Sequence, residues 1–231
     1  MKKINLIILF FTALFFIFTC SEPGENNSSN SKDLVPNGTY FKEFTSPGEH
    51  YWTVPENILG SITVTIVGGG GGGGCTDVAT NAGGGGAGQR IVQSIELTKY
   101  KIILITVGSG GKGGEFDGLY SCDGDSGTVS KIITEFGTTT ALAGSGGISG
   151  ARGGFGGSVY FPGDGGNADR GGNGGTNGGG FGVGGYMNKG GSAPANSGGG
   201  GGGGGKGYDG AHSGGNGGSG YVKIVYTLDE K

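Results

Sequence analysis

The residues of this chain best suited to chemistry are few, and most fail on spacing. "GSGGKGG" around Lys112 has the look of a phosphate-binding loop, but Lys112 is followed by Gly113 rather than Ser or Thr. No helical pattern follows to receive phosphates. "DGDSG", Asp123–Gly127, starts like a calcium loop. An EF-hand needs an oxygen ligand where Gly127 stands and glycine where Thr128 stands, so that motif fails and only a looser ion site or an ordinary turn is left. The two histidines, His50 and His212, are too few to build a zinc site with these cysteines. Ser, His and Asp occur without any nucleophile elbow. These residues predict no catalytic centre, no metal and no cofactor, so we expect a protein that is not an enzyme.

The three cysteines say more. Cys20 ends "MKKINLIILFFTALFFIFTC", in which Lys2 and Lys3 precede an apolar run, Ile4–Phe18. The run is short for a bilayer span and suits a secretory signal. No A-x-A site follows. Ile17-Phe18-Thr19-Cys20 instead resembles a bacterial lipobox, with Phe18 and Thr19 larger than its usual small residues. Cys20 is then the acylated N-terminus of a lipoprotein; an ordinary signal peptide or an uncleaved anchor are the other readings. Residues 1–19 are read as the signal peptide and 20–38 as an acylated cysteine with a polar tether, "SEPGENNSSNSKDLVPNG". The expected location is the cell envelope, lipid-anchored at the outer membrane or cell surface. Cys75 and Cys122 are left over in an exported domain, which suggests a disulfide, two buried thiols being the other reading.

The elements that position these residues are set by an unusual composition. Of 231 residues 63 are glycine, about 27%, against an average near 7%. Only 6 prolines and no G-X-Y register exclude collagen. A net charge of -3 argues against a nucleic-acid partner. Eight strand-like stretches frame the glycine: "TYFKEF", "EHYWTV", "GSITVTIV", "QRIVQSIEL", "KIILITV", "TVSKIIT", "TTTALA" and "YVKIVYT". In the third, Ile62, Val64 and Ile66 share one face and Thr63 and Thr65 the other. "KIILITV" is apolar on both faces and is expected to be the most buried. The pattern predicts an all-β domain over 39–231, a jelly-roll-like β sandwich, with a glycine-rich insert at 144–220.

Glycine loses more conformational freedom on folding than any other residue. Runs such as Gly68–Gly74 therefore need compensation. The extended left-handed polyproline II helix has three residues per turn and no internal hydrogen bonds. Glycine helices of this kind can pack side by side and satisfy one another's backbone groups. We expect an inserted polyglycine II helix bundle; a disordered insert is the other reading.

The order of these features resembles one family. Trp52-Thr53-Val54-Pro55, the strand running into poly-glycine, "KIILITVGSGGKGG" and the closing "GGNGGSGYVKIVYT" are similar to the glycine-rich domain of bacterial and phage proteins. That family includes tip adhesins of phage tail fibres and the extracellular region of receptors related to anaplastic lymphoma kinase. The resemblance implies a β module carrying polyglycine II helices, without catalytic residues, that recognises something at a cell surface. Aromatics interrupt the glycine insert at Phe155, Tyr160, Phe161, Phe181, Tyr186 and Tyr208. These are the candidate ligand-binding residues, "GYMNKG" (Gly185–Gly190) foremost, since tyrosine gives large contact area with few rotatable bonds. Packing on the sandwich is the competing role for them. The expected function is a surface-anchored, non-catalytic recognition module for a glycan or protein on a host or neighbouring cell. Passive structural or self-associating envelope components and accessories to secreted enzymes are the other classes.

Overall fold

A computed structural model describes residues 38–76, 81–99, 101–116, 122–149, 183–185, 188–206 and 210–229. All belong to the unit Lys32–Lys231. The signal segment, Cys20 and most of the tether lie outside the described residues, as do all six candidate aromatics.

Eight strands form: β1 (Thr39–Phe44), β2 (Gly48–Thr53), β3 (Ile58–Val67), β4 (Arg90–Ile95), β5 (Ile102–Val107), β6 (Ser130–Thr134), β7 (Gly137–Ala141) and β8 (Tyr221–Leu228). They make two four-stranded sheets, ordered β1-β8-β3-β4 and β2-β5-β6-β7. Every pairing is antiparallel. Among the described residues there is no helix, so none that could cross a membrane.

Alternation decides which face is buried. Ile62, Val64 and Ile66 of β3 and Val222 and Ile224 of β8 meet Ile103, Ile105 and Val107 of β5 and Ile132 of β6 in one core. Each such side chain contributes about 1.5–3 kcal/mol on burial. Trp52 and Val54 close the core beside Pro55, and the Val54 N–H donates to the Lys101 carbonyl at 2.9 Å. Tyr226 sits between Trp52, at 5.4 Å between ring centroids, and Tyr40, at 5.9 Å. Burial raises the Tyr226 hydroxyl above its usual value of 10.0, and Tyr40 adds to the rise.

The expectation for "KIILITV" needs correction. Only Ile103, Ile105 and Val107 are buried, while Ile102 is 65% exposed and Leu104 is half-buried. The outer face of this sheet is open to solvent. Its apolar residues lie in a cross-strand row, Tyr51 beside Leu104 beside Ile133, rather than under a covering layer. In β3, a register shift between Leu59 and Thr63 falls at Gly60, whose φ of +65° favours glycine.

The glycine-rich connections all leave one end of the two sheets: 68–89 between β3 and β4, 108–129 between β5 and β6, and 142–220 between β7 and β8. The chain enters β1 and leaves β8 at the opposite end, where Thr39 pairs with Thr227. Segment 68–76 is buried throughout. Its N–H groups follow a three-residue repeat. Gly68, Gly71 and Gly74 donate to Gln89, Gly86 and Gly83; Gly69, Gly72 and Cys75 to Thr128, Asp125 and Cys122; Gly70, Gly73 and Thr76 to Gly218, Gly215 and His212, all at 2.8–3.0 Å. Those three neighbours run antiparallel to it. Its carbonyls accept from three others that run parallel: Gly111 and Gly114, Gly144 and Gly147, Gly201 and Gly204. One segment thus has six neighbours, and its buried backbone groups find partners without forming a sheet.

Close approach explains why glycine is required here. A Cβ at Gly72 would fall on the Lys112 carbonyl, and one at Gly201 on the Gly215 carbonyl. The lattice draws on 68–76, 82–89, 108–114 and 122–128 as well as on the long connection, so it is larger than the stretch 144–220 that composition marks out.

Candidate functional site

The outer end of this lattice is built by the few residues that are not glycine. Cys75 and Cys122 are joined by a disulfide, with Cα atoms 5.2 Å apart. The structure thereby brings together the two cysteines left over in the sequence. The bond sits at the last rung between two segments, where the Cys75 N–H also donates to the Cys122 carbonyl at 2.8 Å. One residue further, Thr76 accepts the His212 N–H on its hydroxyl at 2.7 Å.

Other polar side chains take the place of missing backbone partners. Asn81 Oδ1 accepts from the Lys206 N–H at 2.8 Å, Asp123 Oδ1 from Ser149 at 2.9 Å, and Asn216 Oδ1 from Gly113 at 2.8 Å. Ser213 Oγ accepts from Phe116 at 3.2 Å. Thr76, Asn81, Ser213 and Asn216 are therefore structural caps that the sequence reading did not single out, and Asp123, weighed there only as part of a calcium loop, is another. Their signal was present: single Ser, Thr, Asn or Asp residues at or near the ends of glycine runs, where a side-chain acceptor can end a lattice row.

The two stretches that look like ligand loops, around Lys112 and at Asp123–Gly127, are lattice segments. Around Lys112, the N–H groups of Gly111 and Gly114 go to Gly70 and Gly73, and the Lys112 carbonyl accepts from Asp125. These donors are committed to neighbouring backbone, not presented to a phosphate. In "DGDSG", Gly124 and Gly127 donate to Gly147 and Gly144. Among the described residues no cluster of His, Cys, Asp and Glu is placed to hold a metal ion.

The six candidate aromatics lie outside the described residues, and only the residues that flank them in the sequence are described. Tyr186 falls between Gly185, which donates to Gly203 at 2.9 Å, and Asn188, whose carbonyl accepts from Gly205 at 3.0 Å. The Gly191 N–H donates to the Val183 carbonyl at 2.8 Å. Tyr208 falls between Lys206, held by Asn81, and Gly210. Phe155, Tyr160, Phe161 and Phe181 fall between Ser149, held by Asp123, and Val183. These flanks all belong to the outer end of the lattice, and the six side chains themselves lie outside the described residues.

Two antiparallel sheets whose strands run into hydrogen-bonded glycine segments define an all-β, glycine-rich module. The family model for the glycine-rich domain matches residues 45–227, and the chain belongs to that family. No curated protein matches it.

Proposed function

We propose that the protein is a surface-anchored lipoprotein whose glycine segments form a polyglycine II bundle and serve as a rigid, non-catalytic recognition tip. The observation that carries this reading is polarity along the domain: the chain enters and leaves at one end of the sheets, and every long glycine-rich connection leaves at the other. An acylated Cys20, joined through residues 21–38 to the start of β1, would hold the first end near the membrane and turn the lattice outward. The three-residue repeat of donors over 68–76 supports a threefold helical form for the glycine. The Cys75–Cys122 bond supports an oxidising, exported location. The ligand is a glycan or protein on a host or neighbouring cell, met by the aromatic side chains that interrupt the glycine insert in the sequence.

An array of glycans and extracellular-matrix proteins, probed with the wild type and with the Tyr160→Ala and Tyr186→Ala variants, tests this. A binder is expected on the array, and at least one variant should lose about tenfold or more in affinity, the scale of an aromatic hot spot, at an unchanged melting temperature. Binding that survives alanine at all six aromatic positions, or falls only with unfolding, would leave the passive envelope role in its place.

A further inference from the structure

A second surface lies at the opposite end of the sandwich from the lattice outlets. An open cleft of about 410 Å³ runs between β4 and the β6–β7 hairpin, within the size range of small-ligand sites. Its wall is Phe136, at the hairpin tip and 67% exposed. The tip is pinned from below: the Phe136 N–H donates to Thr134 Oγ1, and that hydroxyl donates to the Gly137 carbonyl, both at 3.3 Å. Gly137 has φ +143°, open to glycine and strained for other residues, which makes the tight turn feasible. The floor is polar, with Gln93 Nε2 donating to Thr139 Oγ1 at 2.7 Å across the two sheets. The Gln93 amide also carries an acceptor oxygen, and the Thr139 hydroxyl has its own proton to give. Ser94, Ile95, Glu96 and Thr138 complete the lining.

An exposed flat apolar ring lining the same cleft as hydroxyl and amide groups matches a sugar, which presents a C–H face to the ring and hydroxyls to the polar side chains. The lining has a carboxylate and no cation, which disfavours a phosphorylated or acidic ligand. We propose that this cleft binds a neutral saccharide, with Phe136 as the stacking platform and Gln93 and Thr139 as the hydroxyl-reading pair. The facing polar groups, Gln93 and Thr139, are side chains rather than backbone, which favours a sugar over an extended peptide added to the β4 edge. The site is independent of the tip and would face the cell that carries the protein.

The test is a titration of the full chain with chitotetraose, cellotetraose and maltotetraose, followed by NMR shifts and calorimetry. At least one sugar should saturate, with shifts centred on Phe136 and Gln93. Phe136→Ala should weaken binding about tenfold or more, Phe136→Trp should retain it, and Tyr51→Ala should leave it unchanged. Phe136→Leu keeps apolar bulk without the flat ring; it should also weaken binding, and it replaces the alanine variant if that one unfolds. The proposal is overturned if no sugar saturates by about 10 mM, if Phe136→Leu binds as well as wild type, or if an extended peptide docks along β4 instead.

Discussion

At the scale of single residues, what a glycine does here depends on its neighbours. Gly201 lies in the lattice, where an added Cβ would strike the Gly215 carbonyl. Gly60 has open space around it and is held only by its positive φ. Gly201→Ala should therefore cost about 2–4 kcal/mol, from overpacking and a disturbed hydrogen bond, and Gly60→Ala about 1 kcal/mol, from backbone strain. Chemical denaturation of the two variants checks the difference. Tyr226 gives a residue-scale prediction in pH. Its folded hydroxyl holds its proton to higher pH than the unfolded one, because burial disfavours the phenolate and Tyr40 adds to this. The unfolded chain releases the proton first, so stability should be level below about pH 10 and fall as pH rises through the folded value. Tyr226→Phe should make this alkaline loss shallower, measured as the difference in denaturation midpoint from wild type between about pH 9 and pH 11.

At the scale of elements, strands and lattice segments differ in how much of them a sequence can show. Alternation in "SITVTIV" announces β3 and its buried face, because Ile62, Val64 and Ile66 differ in kind from Thr63 and Thr65. The exposed side of β5 was not readable, since Ile102 and Leu104 have the same chemistry whether or not a layer covers them. Within glycine runs the partners are invisible: Gly70, Gly71 and Gly72 are identical in sequence yet bond three different segments. The candidate disulfide was legible because cysteine is rare here, and it joins two of those segments at their outer end. Closing a loop with a sequence separation of 47, it stabilises by up to about 4 kcal/mol in the chain-entropy model. Cys75→Ser with Cys122→Ser should lower the melting temperature. Protection from hydrogen exchange should fall most at 72–76 and 122–125 and least in β3 and β8. A uniform loss across both sheets would show that the bond's effect is not local to the lattice.

At the scale of the whole molecule, the account rests on one claim: the glycine runs are an ordered body continuous with the sandwich, not slack chain between strands. β3 passes from Val67 directly into Gly68, and the ladder of the strand gives way to donors that turn to a new neighbour at each residue. The proposed recognition tip, opposite the end where the chain enters and leaves the sheets, depends on that continuity. Hydrogen exchange of the individual amides Gly69–Gly74, resolved by NMR, is the most direct measurement. The account predicts that all six exchange slowly, with protection comparable to Val64 in the centre of β3, because each lies in a buried segment and donates to a carbonyl in one of three neighbours. Exchange of these amides at the rate of an unstructured peptide, with Val64 still protected, would contradict it.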